Sequence, residues 1–200
     1  MSNEEQIWSS LLGTIGNEYG VAGLMGNLYA ESGLITNNLE NSYEESSGFT
    51  DESYTNAVNN GSYTKEQFVN DRYGYGLAQW TYPSRKEKLY NRFITGGFSS
   101  IADLHLQVNY LLYELENDYP GVLQILKNAT SVRVASDKVL HDFENPADQS
   151  LAVEVYRETL GQGYYNKYAN GQGGNTPTPT SKKKKGYNFV LFGRRRRIYG

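Results

Sequence analysis

The apolar residues of this chain recur at the spacing of an α-helix, and we find no alternating strand pattern in its body. The clearest stripe runs through 101–117 and consists of Ile101, Leu104, Val108, Leu111, Leu112 and Leu115. Similar spacing and helix-start signals predict helices over 4–16, 19–32, 64–71, 84–95, 121–128, 131–143 and 148–169, the last interrupted at 161–163. The predicted fold class is therefore mainly α.

The composition divides the 200 residues into one domain and an appendage. We expect a helical domain over 1–169, a Gly and Thr-Pro linker over 170–181, and a flexible basic-aromatic tail over 182–200. Residues 1–174 carry 11 basic and all 22 acidic residues, a net charge of −11, whereas the tail carries eight basic residues and no acidic one. An acidic body is a poor match for phosphates, so no specific nucleic-acid partner is expected.

Several classes of site are excluded by the residue types present. The chain has no cysteine, which rules out disulfides, thiolate metal centres and a cysteine nucleophile. Its two histidines, His105 and His141, are too few for a His-rich metal site, so neither a metal nor a cofactor is expected. The acidic start of the sequence does not resemble a signal peptide, and no apolar run is long enough to cross a bilayer.

Glu31 is the most informative single residue. It lies at the end of a predicted helix rich in small residues and shares a face with Leu24 and Leu28. A carboxyl on such a face is partly desolvated, which would raise its pKa and suit it to general-acid chemistry. The alternative is a carboxylate that faces solvent or caps a neighbouring loop. Gly26, and its neighbour Gly23, would permit close helix packing there.

Two polar segments follow this helix. Residues 36–63 are poor in apolar side chains and predict a long loop, with a short helix near 51–59. Residues 73–82 are a glycine-punctuated aromatic stretch, in which Gln79 supplies an amide that could bind a polar ligand.

Taken in order, the segments GLMGNLYAESGL (23–34), NNLENSY (37–43) and GYGLAQWTYPSR (74–85) resemble the phage tail lysozyme family of the lysozyme-like superfamily. More distantly, ESGL followed by GYGLAQW is similar to the soluble lytic transglycosylases and goose-type lysozymes. The similarity continues through 100–115, 129–140, 143–150 and 161–169. It therefore covers nearly all of 5–170 and says nothing about the tail.

The resemblance implies a lysozyme-like helical fold with a long polar active-site loop. It implies cleavage of the β-1,4 bond between N-acetylmuramic acid and N-acetylglucosamine in peptidoglycan, with Glu31 as the general acid. Gln79 would line the sugar cleft together with Tyr75, Trp80 and Tyr82. Amides suit the hydroxyl edges of sugars, and aromatic rings suit their C–H faces. For Trp80 and Tyr82, packing in the core is the alternative.

A second carboxylate cannot be assigned uniquely. It would lie about 6.5–9.5 Å from the acid in an inverting enzyme and about 5–5.5 Å in a retaining one. The candidates in the polar segment are Glu40, Glu44, Glu45 and Asp51. The family often has Gln where this chain has Glu40, so Glu44 is preferred. Without a second acid, the lytic transglycosylase route to anhydro products is open.

A structural ion pair is also predicted, between Glu144 in the FENP motif and Arg157 on the last helix.

The resemblance also bears on partners and location. Peptidoglycan is the expected substrate, and phage tail proteins are candidate partners. The protein would act from the virion tail, or from the host cytoplasm after holin-dependent release. A non-catalytic module for glycan binding or virion assembly is the alternative. The basic tail could be merely solvated, bind an anionic cell-wall polymer or membrane surface, or pair with a partner chain as a strand.

Overall fold

Helices make up nearly all the regular structure of the computed structural model, which describes residues 1–169. In chain order they are α1 (Asn3–Ile15), α2 (Glu18–Ser32), α3 (Asn41–Ser47), α4 (Asp51–Asn59), α5 (Lys65–Asn70), α6 (Pro83–Thr95), α7 (Leu104–Asn117), α8 (Pro120–Lys127), α9 (Val132–Lys138) and α10 (Leu151–Tyr168). Within this part of the chain, extended pairing is limited to isolated bridges of Tyr75 with Leu39 and with Trp80. The predicted linker and basic tail lie outside the described residues. The mainly α fold class is confirmed.

Helix α2 forms the centre of the domain. Every residue from Gly20 to Leu28 is buried, so this helix is covered on all sides, and α1, α8, α9 and α10 pack around it. Its small residues permit the closest contacts. A Cβ on Gly26 would lie 2.6 Å from the carbonyl oxygen of Arg157 and 2.5 Å from the amide nitrogen of Gly161, both on α10. The sequence prediction of close packing at this helix is therefore confirmed.

Helix α10 is continuous, so the predicted interruption at 161–163 is wrong. Gly161 lies inside the helix, where a Cβ would come within 2.8 Å of the carbonyl oxygen of Ala22. The glycine that looked like a helix break instead allows α10 to approach α2. Its intrinsic cost of about 1 kcal/mol relative to alanine is offset by this contact.

The polar segment 36–63 is more ordered than a loop. The short helix expected near 51–59 is present as α4, and Thr50 caps it by accepting from the amide of Ser53. Helix α3 precedes it and has no buried residue, so nothing in the hydrophobic pattern indicated it. Aromatic rings replace aliphatic side chains here. Tyr43 stacks on Tyr73 with ring centroids 3.9 Å apart.

A buried lysine fixes this polar segment to the rest of the domain. Lys86 Nζ on α6 lies 2.5 Å from Asp71 Oδ1 and 3.0 Å from the carbonyl oxygen of Tyr73, and Tyr54 on α4 donates to the same aspartate. Burial lowers the pKa of Lys86, while the charge of Asp71 opposes that shift. The ion pair and the hydrogen bond from Tyr54 therefore hold α4, the segment after α5, and α6 together.

The helix predicted over 131–143 changes geometry midway. It begins as α9, continues as a π-helical turn over Val139–Glu144, and ends where Asn145 adopts a left-handed backbone with φ of 48°. Such turns are often found at functional sites. No helix among residues 1–169 has the length and apolarity needed to span a membrane.

Candidate active site

Glu31 lies in the last turn of α2, with one fifth of its side chain exposed. The helix ends at Gly33, whose backbone is left-handed with φ of 64°. Next to Glu31, the buried Ser32 hydroxyl lies 2.8 Å from the carbonyl oxygen of Leu77. This contact ties the end of α2 to the glycine-aromatic segment.

Arg157 on α10 orients the Glu31 carboxyl. Its Nη2 donates to Glu31 Oε1, and its Nη1 donates to Asn27 Oδ1 at 3.0 Å. Asn27 is itself buried and donates to the carbonyl oxygens of Gly23 and Ser136. The guanidinium is 3% exposed, so Glu31 is held by a fixed, buried donor.

Glu31 is thus the ion-pair partner of Arg157, and the predicted Glu144–Arg157 pair is corrected. Arg157 approaches close enough to influence the charge of Glu144, but both of its hydrogen-bonded arms are committed elsewhere. The sequence prediction failed because three acids converge on two arginines at this point, and the spacing along the chain does not show which pairs form.

Glu144 is the last residue of the π-helical turn. Its Oε1 is buried and has no hydrogen-bond partner among the described residues. Burial, then the negative charge of Glu31, raises its pKa to about 8, against the opposing influence of Arg85 and Arg157. Burial therefore favours the protonated form of this carboxyl.

A second arginine completes the cluster. Arg85 at the start of α6 makes a two-pronged contact with the fully buried Glu114 on α7, Nε to Oε1 at 2.7 Å and Nη2 to Oε2 at 2.8 Å. Trp80 Nε1 donates to the same carboxylate at 2.8 Å. The guanidinium also lies over the Phe143 ring, 4.8 Å from its centroid. We refer to Glu31, Glu114, Glu144, Arg85 and Arg157 together as the carboxyl–arginine cluster.

The glycine-aromatic segment forms a tight turn beside this cluster. Tyr75 and Trp80 pair through their backbones, and Gln79 between them has a left-handed backbone with φ of 43°. A non-glycine residue in that region is strained, which is common at functional sites. A Cβ on Gly74 would lie 2.5 Å from Gln79 Oε1, so a larger residue there would displace the Gln79 amide. The side chain of Gln79 donates through Nε2 to the carbonyl oxygens of Asn38 and Gly76.

The four residues predicted to bind sugar occupy two kinds of environment. Tyr75 and Trp80 are fully buried, whereas Gln79 is partly buried and Tyr82 is 49% exposed. Two of the rings therefore pack in the core and offer no face to a ligand in this structure. For Trp80, the core-packing alternative describes what is observed. Gln79 and Tyr82 remain in positions from which a ligand can be reached.

The acids of the polar segment bind backbone amides. Glu40 Oε2 accepts from the amide of Gly74 at 3.0 Å, Glu44 Oε1 from the amide of Asp51 at 3.1 Å, and Asp51 Oδ1 from the amide of Leu39 at 2.8 Å. The Glu40 contact joins the polar segment to the glycine-aromatic segment, whereas the other two lie within the polar segment. Glu45 is exposed. The structure gives none of the four a contact with Glu31.

Sequence reasoning missed three buried polar residues that support the site. Gln107 on α7 accepts from the amide of Leu77 and donates to the carbonyl oxygen of Thr36, and Asn27 and Glu114 hold the two arginines. A signal existed for two of them. Gln107 and Glu114 interrupt the apolar stripe of α7, and a polar residue at a core position requires a buried partner.

The architecture is that of a mainly helical, lysozyme-like domain with an acid at the end of its central helix. A family model described as Phage tail lysozyme matches residues 2–168, and the chain belongs to that family. The resemblance to this family that the sequence motifs indicated is thereby confirmed. Membership supports a lysozyme-like function in breaking down peptidoglycan. Neither the curated proteins nor the solved structures contain a match to the chain.

Proposed function

We propose that this protein is a muramidase that cleaves the β-1,4 bond between N-acetylmuramic acid and N-acetylglucosamine, with Glu31 as the general acid. The supporting observation is the setting of that carboxyl. It lies at the end of a helix whose central stretch, Gly20 to Leu28, is buried; it is one fifth exposed and is oriented by a buried arginine. The next residue, Ser32, contacts the glycine-aromatic segment.

Bond cleavage requires a proton on the leaving oxygen as the glycosidic bond breaks. Arg157 donates to Oε1 of Glu31, so we assign Oε2 as the oxygen that delivers the proton. Fixing one oxygen restricts the rotation of the carboxyl, which favours a productive geometry.

Two residues of the segment are assigned to the glycan. Gln79 uses its Nε2 on protein carbonyls, so its Oε1 would accept from a sugar hydroxyl. The half-exposed ring of Tyr82 would pack on a sugar face. The buried side chains of Tyr75 and Trp80 would support the wall of the cleft without contacting the glycan.

The second carboxylate distinguishes two reaction types. Glu44 remains our proposal for a base or nucleophile, and it would have to release the Asp51 amide to act. That Glu40, Glu44 and Asp51 all bind backbone amides favours a second candidate, a lytic transglycosylase that uses one acid and forms anhydro ends. Mass spectrometry of the products separates reducing muramic ends, expected from the hydrolase, from anhydro ends.

Replacing the acid tests the proposal directly. We expect Glu31→Gln to lower the release of soluble muropeptides from purified sacculi by about 10²–10⁴-fold, the usual contribution of a general acid. The matched control is Glu45→Gln, the same change at an exposed acid, which should retain the wild-type rate. Circular dichroism checks that Glu31→Gln is folded.

A folded Glu31→Gln variant that digests sacculi at the wild-type rate would refute the assignment. Wild-type protein that binds sacculi and releases nothing would instead indicate the non-catalytic glycan-binding or structural module.

We further propose that the enzyme acts on the bacterial wall as part of a phage tail, in contact with other tail proteins. Family membership supports this role. Detection of the protein in purified virions would support it. Its presence only in infected cells would favour release at lysis, and the role of the basic tail would be tested by comparing the full chain with residues 1–174.

A further inference from the structure

Gln107 is a fully buried amide on α7 to which the proposed mechanism gives no role. Its Oε1 accepts from the amide of Leu77 at 2.8 Å, and its Nε2 donates to the carbonyl oxygens of Thr36 at 2.7 Å and Ile101 at 3.0 Å. All three partners are backbone groups that lie outside the helices. A buried side chain bonded in this way fixes the positions of the segments that it joins.

The partners of Gln107 permit only one orientation of its amide. If the oxygen and nitrogen exchanged places, Nε2 would face the N–H of Leu77 and Oε1 would face two carbonyl oxygens, so all three hydrogen bonds would be lost. The amide also fills the space beside Gly76, where a Cβ would lie 2.7 Å from Gln107 Oε1. The side chain therefore joins 36–38 to 76–77 in one fixed arrangement.

These two segments also hold the side chain of Gln79. Its Nε2 donates to one carbonyl oxygen in each segment, that of Asn38 at 3.0 Å and that of Gly76 at 3.1 Å. Because Nε2 is bound to both carbonyls, the spacing of the two segments sets the orientation of the Gln79 amide. The same spacing therefore sets the position of Oε1, the atom assigned above to a sugar hydroxyl.

The backbone of Gln79 depends on such support. Its φ of 43° lies in the left-handed region, which a residue other than glycine keeps only where the surrounding structure imposes it. Two residues earlier, Leu77 is held on both sides, because its amide donates to Gln107 and its carbonyl oxygen accepts from Ser32 Oγ at 2.8 Å. Buried side chains from α7 and α2 thus fix the turn in which Gln79 lies.

We propose that Gln107 is a positioning residue that holds the Gln79 amide in the orientation that binds the glycan. It does not touch the substrate and acts through the two segments that bind Gln79 Nε2. This proposal rests on the glycan-binding role assigned to Gln79 above. Glu31 keeps its separate anchor, Arg157, so loss of Gln107 should weaken glycan binding without slowing cleavage of the bound glycan.

The first experiment separates binding from catalysis. Gln107→Met retains an unbranched side chain of similar length and removes all three hydrogen bonds. For a tetrasaccharide of alternating N-acetylglucosamine and N-acetylmuramic acid, we expect the KM to rise about five- to tenfold, the loss of one hydrogen bond to the sugar. The kcat should stay within about twofold of the wild-type value, whereas a loosening of the whole site would lower it as well.

Asn17→Leu is the matched control. Asn17 is a second amide that joins separate segments, since its Nδ2 donates to the carbonyl oxygens of Lys127 and Ala129. It caps the first turn of α2, at the opposite end of the helix from Glu31. This variant should lower the free energy of unfolding and leave the KM unchanged. A rise in KM confined to Gln107→Met is then not a consequence of lost stability.

A double-mutant cycle shows whether Gln107 acts through Gln79. Dissociation constants for the same tetrasaccharide are measured by calorimetry on the full chain in the Glu31→Gln background, where the glycan stays intact. Gln79→Ala and Gln107→Met should each weaken binding, and the double variant should bind no more weakly than Gln79→Ala alone.

Gln107→Glu replaces Gln107→Met in the cycle if the methionine variant does not fold. Burial favours the protonated carboxyl, which keeps the acceptor for the Leu77 amide and one donor. Its smaller effect on binding should likewise vanish when Gln79 is replaced by alanine.

Two results would overturn the proposal. One is a folded Gln107 variant whose KM and dissociation constant match those of the parent protein, or whose loss lies in kcat alone. The other is a cycle in which the two substitutions weaken binding additively. A wild type that binds the tetrasaccharide without cleaving it would refute the muramidase assignment alone, because the cycle measures binding. A wild type that does neither would refute both.

Discussion

Burial separates the four residues predicted to bind the glycan into a core pair and a surface pair. Trp80 is fully buried and donates to Glu114, whereas Tyr82, two residues later, is half exposed at the start of α6. Two aromatic residues of one motif thus have different environments. Trp80 donates a hydrogen bond to Glu114 inside the domain, whereas about half of Tyr82 is exposed to solvent.

Substitution of these two residues should therefore have opposite signatures. We expect Tyr82→Ala to raise the KM for soluble glycan fragments several-fold and to change the free energy of unfolding by less than about 1 kcal/mol. Trp80→Ala should cost about 3–5 kcal/mol, because it leaves a cavity and removes a hydrogen bond to the buried Glu114. Chemical denaturation and steady-state kinetics measure the two effects. Equal losses of stability in both variants would contradict the separation.

At the scale of helices, the candidate acid depends on how closely α2 and α10 approach. Arg157 and Gly161 lie on the face of α10 that contacts Gly26, and the same arginine holds Glu31. Packing and chemistry are therefore coupled in this pair of helices. A displacement of α10 by a fraction of an ångström changes the ion pair at Glu31.

The coupling can be tested with one methyl group. Gly26→Ala places a Cβ about where the backbone of α10 now lies, so we expect a loss of about 1–3 kcal/mol in unfolding free energy and at least a tenfold loss of lytic activity. Gly13→Ala in α1 is the matched control. A Cβ there meets no atom within 4 Å, and the change should stabilise by about 0.5–1 kcal/mol.

A Gly26→Ala variant as stable and active as Gly13→Ala would show that the interhelical contact has no influence on the site.

At the scale of the whole molecule, the raised pKa of Glu144 makes stability depend on pH. Between about 4.5 and about 8 the folded protein holds a proton that the unfolded chain has released. The free energy of unfolding must therefore fall as the pH rises through this window, and it levels off above pH 8. The contribution is on the order of a few kcal/mol.

The glutamine variant isolates this contribution. We expect the wild type to lose more stability than Glu144→Gln between pH 5 and 8, and the two curves to run parallel above pH 8. The hydrogen bonds that raise the pKa of His141 act in the same direction, since a protonated histidine loses its stabilising contacts as the pH rises, but they are common to both proteins. Denaturant unfolding at several pH values measures the difference. Parallel curves throughout would contradict the prediction.

The sequence predicted most of the helices because their apolar stripes are long and regular. Helix α3 escaped prediction because it buries nothing, and the continuity of α10 at Gly161 escaped because the contact that favours glycine there is with a distant helix. In the candidate site, local spacing drew attention to Glu31, and the family resemblance of the surrounding motif assigned it as the acid. Its partner could not be found from spacing, since Arg157 is 126 positions away and periodicity along a chain carries no information about such pairs.

The 126 positions that separate Glu31 from Arg157 have a consequence for how the protein is made. Arg157, which binds the carboxyl of Glu31, is synthesised close to the end of the described domain, long after the glutamate itself. A nascent chain, or a fragment cut before α10, holds the acid without its anchor. Lytic competence would then arise only once translation has passed Arg157, so incomplete products inside the host would be harmless to its wall.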